Sequence, residues 1–408
     1  MAIELNFAQI AIIFFIVAAF LFSSIVIDVL TLIIVGIRNF IRFLFKIKIK
    51  SIEPLEKAGV SIIIPAYNEE ENIKEVIESS FNQTLKPKKV IVIDDNSSDK
   101  TVQICMKLKE KYKNLQIIQQ KENKGKSYNI TYVLKKIPLS EITIVQDADT
   151  FLTKTYLEEI IKPFSNKRVV ITTGLSLPMR MKGFVGGAIF NGIDFLYKVF
   201  SFRKEAQSLR NAISVVTGDS AAYRTSFLKS VGGLPQGTQT EDMDIAWLAL
   251  EKRHRTVYVP IARANSKDAS TIKGHWEQIT RWFSGGFQCI FKHNKDLFKA
   301  KPLLFTTLIP GYLDGIIYSF SFIMAFLLIP FYPAFSIGFY IADFLFTLLM
   351  IIFFDKKGIF HLPEIYFIKF MWSLAGIYAF IKTTTEFTLG RRNWSGKWDR
   401  SSFHKNKK

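Results

Sequence analysis

The chain has 408 residues, of which 49% are hydrophobic, and its lysines and arginines exceed its aspartates and glutamates by 19. This length accommodates one large domain, or two smaller ones, together with membrane segments. The basic surplus predicts an anionic partner, such as lipid headgroups or a phosphorylated substrate. It does not indicate nucleic acid, because the sequence has no zinc-ligand spacing, no helix-turn-helix signal and no aromatic RNA-binding motif.

The first predicted element is a membrane-spanning helix over about residues 8–36, in which Asp28 is the only charged residue. This length exceeds the minimum for about 30 Å of hydrocarbon. We expect Asp28 to face a protein neighbour rather than lipid. The stretch that follows, IRNFIRFLFKIKIK, is basic and contains no acidic residue. The positive-inside rule therefore places the end of the predicted membrane region, residues 1–50, in the cytoplasm of the cell.

Residues 51–274 alternate between strand and helix patterns and form the predicted cytoplasmic domain. VSIIIPAYN, KKVIVIDDNSSD, LQIIQQ and EITIVQDADT are typical of strands, and amphipathic helical segments separate them. Short alternation of this kind predicts an α/β fold with an open, mostly parallel sheet. Ligands bind beyond the carboxyl ends of such strands, where Tyr67, Asp94, Asp95, Asp147 and Asp149 fall.

The DAD motif predicts a metal site. Asp147 and Asp149 supply hard oxygen ligands that suit Mg²⁺ or Mn²⁺, with phosphate oxygens completing the coordination. Taken alone, the motif is more typical of an acidic turn on a solvated loop. Its position after an apolar strand, one β–α unit beyond Asp94 and Asp95, favours the metal. The earlier motif, DDNSSD, either is only a helix-capping turn or supplies a carboxylate that accepts hydrogen bonds from a nucleobase or a ribose.

Three other motifs carry candidate site residues, each with a simpler structural alternative. NKGKSYN opens a helix, and its N–H groups and Lys126 are expected to face phosphate. TEDMD begins a helix, where Glu241 and Asp242 either stabilise the N-terminus or supply a general base. VTGDSAAYR is a turn at Gly218 that either admits a sugar or only redirects the chain.

QITRW lies in a predicted interfacial helix region, residues 275–302. Gln278, Arg281 and Trp282 fall on one helical face. The five histidines show no metal-binding spacing, and we interpret them as surface or interfacial residues. Cys105 and Cys289 are interpreted as free thiols in a reducing compartment.

The C-terminal region, residues 303–390, is predicted to hold spans at 303–329 and 334–354. Residues 363–389 are ambiguous, because their longest uncharged run, Phe370 to Ile381, is flanked by Lys369 and Lys382. Such a run suits an interfacial helix, which we favour, but a further span is the alternative. The tail, residues 391–408, is basic and expected to be cytoplasmic.

The order and spacing of IIIPAYNEEENI, IDDNSSD, DAD, TED and QITRW resemble the family 2 glycosyltransferases. The pattern is most similar to their membrane-integrated, processive branch, which contains cellulose, chitin, hyaluronan and poly-N-acetylglucosamine synthases. The resemblance covers residues 60–290. It implies a GT-A nucleotide-diphospho-sugar transferase domain, an αβα sandwich, flanked by transmembrane and interfacial helices.

The resemblance also implies roles for individual residues. Tyr67, Asp94 and Asp95 would contact the nucleoside. Asp147 and Asp149 match the DxD pair, of which Asp149 would bind the metal that bridges the two phosphates. Lys126, from its position in the helix-opening turn, joins the predicted nucleotide-sugar site.

On the acceptor side, Asp242 matches the catalytic base of the family's TED motif. Arg281 would lie near the diphosphate, and Trp282 would form a platform under the acceptor sugar. Gln278, Glu241 and Gly218 are predicted to complete the acceptor site.

The predicted function is metal-dependent, inverting transfer of a sugar from a UDP-sugar to a growing β-linked polysaccharide at the cell membrane. Two or three C-terminal spans make a thin polymer channel, so an oligomer, a partner or a lipid-linked acceptor is expected to complete it. Transfer of one sugar to a membrane lipid or a polyprenyl phosphate is the first alternative. A non-enzymatic membrane scaffold or transporter is the second, and it leaves the ordered acids unexplained.

Overall fold

A computed structural model describes residues 23–44 and 59–391 of the chain. The predictions for residues 8–22, for the basic residues 45–50 and for the tail beyond residue 391 lie outside the described residues. Within these ranges, eight strands form one sheet. They are β1 (Val60–Ala66), β2 (Lys89–Asp94), β3 (Leu115–Gln119), β4 (Ile142–Val145), β5 (Thr150–Leu152), β6 (Val169–Pro178), β7 (Ala222–Arg224) and β8 (Arg255–Ser266).

The sheet is mixed, with the strand order β3-β2-β1-β4-β7-β6-β8-β5. The strands β1 to β4 are parallel to one another, and so are β6 and β8, whereas β7 and β5 run antiparallel to their neighbours. The mostly parallel α/β sheet expected from the sequence is therefore confirmed. The antiparallel strand β7 joins its two parallel sections.

Helices cover both faces of this sheet and continue beyond it. They are α1 (Ser23–Leu44), α2 (Ile73–Phe81), α3 (Thr101–Lys111), α4 (Lys126–Lys136), α5 (Tyr156–Ile161), α6 (Gly183–Arg210), α7 (Thr225–Ser230), α8 (Glu241–Glu251), α9 (Ile272–His293), α10 (Ile309–Leu327), α11 (Pro333–Phe354) and α12 (Leu362–Thr388). Turns of 3₁₀, α and π type at residues 297–308 connect α9 to α10.

The central strand β1 shows how the sequence builds this core. Ile62 and Ile64 point to one face and pack in one hydrophobic cluster, whereas Ile63 points to the other face and packs in a second cluster. Burial of each isoleucine stabilises the fold by about 1.5–3 kcal/mol. Because both faces are covered, the strand is a continuous apolar run.

The strand register brings the polar residues to one edge. Ala66 of β1 pairs with Asp94 of β2, and Ile63 of β1 pairs with Val145 of β4. The residues that follow these strands therefore emerge together, as expected for parallel strands.

Three helical segments are long and apolar enough to cross a membrane, within the part of the chain that is described. They are Leu297–Leu327, Pro333–Phe354 and Lys356–Thr388. The first overlaps the predicted span at 303–329, and the second includes the predicted span at 334–354. The third contains α12, an unbroken helix of 27 residues. Whether α12 spans the bilayer or lies at its interface stays a prediction.

Lys369, which limits the uncharged run in α12, is paired inside the helical bundle. Its ammonium lies 2.6 and 2.8 Å from the two carboxylate oxygens of Asp343 in α11. Thr347 accepts a further hydrogen bond from it at 2.9 Å, and the Tyr318 hydroxyl of α10 donates to Asp343 at 3.0 Å. The lysine thus connects α10, α11 and α12, so its charge does not by itself mark a water-facing boundary.

Asp28 faces protein, as expected, and is 1% exposed. Arg203 and Arg210 of α6 donate hydrogen bonds to its two oxygens at 2.9 and 2.7 Å. Arg210 also donates to the Thr31 hydroxyl at 2.6 Å. Two guanidinium groups therefore attach α1 to α6.

Candidate active site

The candidate site begins at the edge where β1 and β2 end. Asp94 and Asp95 are buried there, and Tyr67 is 40% exposed beside them. The Asp95 carboxylate accepts hydrogen bonds from the backbone N–H groups of Lys124 and Gly125, both at 2.8 Å. Asp95 therefore fixes the turn that opens α4. Gly125 has φ 85°, a conformation that favours glycine.

The same turn places Lys126 deeper in the site than the sequence predicts. Its ammonium lies 2.6 Å from Asp147 and 3.1 Å from Glu241, and it donates to the Gly218 carbonyl at 2.6 Å. Burial opposes the charge, but the two carboxylates outweigh burial and raise the pKa of Lys126. Lys126 thus joins the DxD motif to the TED motif, and phosphate has to compete with these partners.

The DxD carboxylates sit at the carboxyl end of β4. The Asp147 N–H donates to the Asp219 carbonyl at 2.8 Å, and the Thr150 N–H donates back to the Asp147 carbonyl at 3.1 Å. These bonds turn the chain so that both aspartates line one cavity. In the described part of the chain, no three metal-ligating side chains form a cluster. A metal held by these two hard oxygen donors therefore needs phosphate and water oxygens as well, a set that fits Mg²⁺ or Mn²⁺.

Asp242 lies in the first turn of α8, beside Glu241, and lines the same cavity. Burial, reinforced by the neighbouring Glu241 carboxylate, raises the pKa of Asp242 to about 6, against the opposing charges of Lys126 and Arg281. A carboxylate with such a pKa is ionised at neutral pH and retains basicity. A Cβ at Gly218 would lie 2.9 Å from an Asp242 oxygen, so only glycine leaves room there.

The helix α9 brings the third group of predicted residues to the cavity. Gln278 donates to Asp268 at 2.7 Å, which connects α9 to the segment after β8. Arg281 donates to the Gln239 carbonyl at 3.2 Å. Trp282 packs edge-on against Trp372 of α12, with ring centroids 6.3 Å apart. Arg281 and Trp282 therefore lie on the same cavity as Asp242.

The cavity has a volume of about 500 Å³ and extends from the DxD pair to α10 and α12. It brings together Lys126, Asp147, Asp149, Gly218, Glu241, Asp242, Gln278, Arg281 and Trp282. Tyr67, Asp94 and Asp95 lie at the strand edge outside its lining. The structure therefore joins the predicted acceptor and metal residues in one space.

Several lining residues were missed from the sequence. Asp219 follows Gly218 and receives a hydrogen bond from the Ser176 hydroxyl at 2.5 Å; burial raises its pKa. Lys204 lies on α6, and burial lowers its pKa to about 8 despite the charges of Asp219 and Asp242. Asp219 stood within a recognised turn motif, but α6 carries no motif that points to a site.

Two histidines correct the interpretation of all five as surface or interfacial residues. His275 and His293 are buried. His275 accepts a hydrogen bond from the Trp372 indole at 3.2 Å, and burial lowers its pKa to about 4. Both cysteines are free thiols, as expected, and both are buried.

His293 connects the two helices that carry Asp242 and Arg281. Its Nε2 lies 2.8 Å from Asp244 and its Nδ1 lies 2.8 Å from Glu251, both on α8. Burial opposes the positive charge, but the hydrogen bonds to the two carboxylates raise the pKa of His293 to about 9. The imidazolium therefore fixes the end of α9 against α8.

The contacts of the charged His293 with Asp244 and Glu251 predict a pH-dependent difference in stability between the protein and its His293→Gln variant. Because the folded pKa exceeds the ordinary 6.5, the stabilisation is complete below pH 6.5 and is lost as the pH rises through about 9. Its full size is on the order of 3 kcal/mol. Thermal unfolding in detergent between pH 6 and 10 measures it.

His254→Gln is the matched control, because burial lowers the pKa of His254. Its effect on stability should be confined to the acidic side of pH 6.5 and have the opposite sign. If the difference in stability between wild type and His293→Gln stays constant from pH 6 to 10, His293 is not held as an imidazolium by the two carboxylates.

The sheet, its strand-end acids and the cavity beneath α9 have the arrangement of a GT-A fold. The solved structure of a mannosyltransferase from Pyrobaculum calidifontis, in complex with GDP-Man and Mn²⁺, has the same fold. It aligns with a TM-score of 0.59 and 17% identity, over 90% of this chain and 99% of that one.

Residues 61–232 match the family model described as Glycosyl transferase family 2. Over 246 residues the chain is 27% identical to a poly-beta-1,6-N-acetyl-D-glucosamine synthase of Staphylococcus epidermidis, covering 60% of this chain and 58% of that protein. The corresponding synthase of Staphylococcus aureus strain COL is 24% identical over 60% and 59%. The chain thus spans less than two thirds of these relatives. Residues 61–232 are therefore similar to a family 2 glycosyltransferase domain.

Proposed function

We propose that the protein is a metal-dependent, inverting synthase that extends a β-linked polysaccharide from a UDP-sugar at the membrane. The observation that carries this proposal is the arrangement of Asp242, Arg281 and Trp282 on one cavity that continues to α10 and α12. A base, a cation for the leaving group and an aromatic platform are what glycosyl transfer to a sugar hydroxyl needs. The names of the staphylococcal relatives support N-acetylglucosamine as the sugar and the β-1,6 linkage.

The reaction begins with proton removal by Asp242. Its carboxylate takes the proton of the acceptor hydroxyl, and the oxygen attacks the anomeric carbon from the face opposite UDP. The new C–O bond forms as the bond to the diphosphate breaks, which inverts the configuration. A raised pKa suits Asp242 to this step, because the base is ionised at neutral pH and still accepts a proton.

Arg281 and Trp282 act on opposite ends of the same bond. The Arg281 guanidinium stabilises the charge that develops on the departing diphosphate. The Trp282 ring stacks on the face of the acceptor sugar and leaves its edge hydroxyls free. Trp372 holds this ring edge-on, so α12 positions the platform.

Asp147 and Asp149 are the residues that would hold Mg²⁺ or Mn²⁺, and Tyr67, Asp94 and Asp95 form the proposed nucleoside edge. When bound, the metal supplies positive charge to the two phosphates. Lys126 already carries a positive charge between Asp147 and Glu241. If Asp147 held the metal, the Lys126 ammonium would be available to the phosphates.

The membrane setting of the proposal rests on the long apolar helices at the C-terminal end. We place the catalytic domain on the cytoplasmic side of the cell membrane, where UDP-sugars are made. We infer that an oligomer, a partner or a lipid-linked acceptor completes the path of the polymer, because three helices alone would make a thin channel. Transfer of a single sugar to a membrane lipid is the alternative that product length decides.

The test is UDP release from the purified protein in detergent across a panel of UDP-sugars, with sizing of the product. We expect turnover with UDP-N-acetylglucosamine and Mn²⁺, and a ladder of products that a β-1,6-specific hydrolase degrades. Products that stop at one added sugar would replace polymer synthesis with single transfer. Absence of turnover with every donor would contradict the proposed function.

A further inference from the structure

The helix α6 presents one lysine to the active-site cavity without an ion-pair partner. Its side chains at Tyr197, Phe200, Ser201, Lys204 and Gln207 line the cavity on a single helical face. Within the described residues, Lys204 makes no hydrogen bond and no ion pair. The ammonium lies over the ring of Tyr258, whose centroid is 5.6 Å away.

Other cations of the same helix are paired, which makes Lys204 distinctive. Lys198 lies 2.7 Å from Asp194 and 2.6 Å from Asp355. Arg203 and Arg210 both bind Asp28. These three side chains hold α6 to its neighbours, whereas the Lys204 ammonium points into a space that a ligand can enter.

A half-buried ammonium without an ion-pair partner destabilises the fold, because it loses water and gains little in return. Its lowered pKa reports the same penalty. Such a group is expected where a ligand supplies the missing hydrogen-bond acceptors. The charges of Asp219 and Asp242, which line the same cavity, offset only part of this penalty.

The charges around the cavity decide which kind of ligand fits. Its lining holds the acids Asp147, Asp149, Asp219, Glu241, Asp242 and Asp268 and the cations Lys126, Arg203, Lys204, Lys267 and Arg281. The cations do not exceed the acids, and Arg203 is committed to Asp28. The cavity therefore does not favour an anionic acceptor end, such as a lipid phosphate, over a neutral glycan.

We propose that Lys204 is an acceptor-specificity residue, whose ammonium donates hydrogen bonds to an oxygen of the neutral glycan held between Trp282 and Tyr258. The inference rests on the proposed function, because it takes Asp242 as the base toward that glycan. A hydroxyl and an acetamide carbonyl offer the same acceptor chemistry. Either oxygen satisfies the ammonium without adding a charge to the cavity.

The experiment compares Lys204→Met, Lys204→Arg and wild type. Lys204→Met keeps the length of the side chain and removes the donors. With UDP-N-acetylglucosamine and a β-1,6-linked N-acetylglucosamine trimer, we expect KM for the trimer to rise about 10- to 100-fold, while kcat changes much less. Lys204→Arg should recover part of the loss. Glu205→Gln, exposed on the same helix, is the matched control and should leave KM unchanged.

A second acceptor identifies the oxygen. If the loss disappears with the corresponding glucose trimer, the ammonium binds the acetamide carbonyl. If the loss is equal for both trimers, it binds a hydroxyl shared by the two sugars. An unchanged KM in Lys204→Met with both trimers would overturn the inference.

Two measurements are independent of turnover. The melting temperature of Lys204→Met without ligand should rise, because an unpaired half-buried charge is removed; a fall would show a structural partner and overturn the inference. Binding of the trimer, followed by calorimetry, should weaken in Lys204→Met while UDP binding persists. If wild type transfers no sugar, the proposed function fails, and equal trimer binding by wild type and variant would then overturn the Lys204 assignment separately.

Discussion

Asp242→Asn is expected to lower sugar transfer about 10³-fold while UDP binding stays intact, because the substitution removes the general base and little else. The carboxylate lies at the start of α8 on the cavity, and the amide keeps its shape. In wild type, kcat/KM should rise with pH through about 6, where Asp242 ionises. The variant should lose this rise. UDP release between pH 5 and 8 measures both effects.

Stability distinguishes loss of the base from misfolding. The folded pKa of Asp242 lies above its ordinary 3.8, so the ionised group destabilises the fold, increasingly as the pH rises from 3.8 to about 6. Asp242→Asn should therefore melt at a higher temperature than wild type at pH 7. Asp244→Asn, which loses a partner of His293, should instead melt lower. An Asp242→Asn enzyme that retains the acid limb of the pH profile would contradict the assignment of Asp242 as the base.

The strands and their polar ends could be predicted because the signals are local. A run such as Ile62–Ile64 indicates a strand that is buried on both faces. The Tyr67 that follows indicates that the chain leaves the sheet at its edge. The same holds for Asp147 and Asp149 after β4. Parallel pairing then requires these ends to meet, so the position of the site follows from the order of strands.

The partners of these side chains could not be predicted in the same way. Lys126 was expected to face phosphate, yet it bridges Asp147 and Glu241, which are 21 and 115 residues further along the chain. Gln278 is predicted to bind the acceptor, and the hydrogen bond from its amide nitrogen to Asp268 could not be foreseen. Such contacts depend on how distant segments of the chain pack, and the spacing of residues within a motif does not indicate that packing.

The helix α6 could not be predicted from the local sequence pattern. Four glycines at positions 183, 186, 187 and 192 lower its helix propensity, and its apolar residues do not form a single stripe. Its neighbours explain this pattern: a Cβ at Gly192 would lie 2.4 Å from Ile368 of α12, so glycine permits close approach of the two helices. Since α6 packs against several partners, both its helical state and the role of Lys204 emerge only from the tertiary structure.

Removal of divalent metal is expected to abolish transfer, and the substitution Asp149→Ala should make this loss permanent. Asp149 is buried on the cavity next to Asp147, and the protein supplies two carboxylates there. Loss of the metal charge from the phosphates should lower turnover on the order of 10³-fold. After EDTA treatment, Mn²⁺ or Mg²⁺ should restore UDP release by wild type and not by Asp149→Ala.

A direct measurement of Mn²⁺ binding distinguishes a metal held by Asp149 from a general requirement of the enzyme for cations. In the presence of UDP, electron paramagnetic resonance should detect Mn²⁺ bound to wild type. Asp149→Ala should bind Mn²⁺ much more weakly. Glu122→Gln, which removes an exposed acid outside the cavity, should behave as wild type. Full turnover by EDTA-treated enzyme, or recovery of Asp149→Ala with Mn²⁺, would rule out Asp149 as the metal ligand. Since Asp147 also holds Lys126, substitution at Asp147 would disturb two interactions, and Asp149 is therefore the more specific position to test.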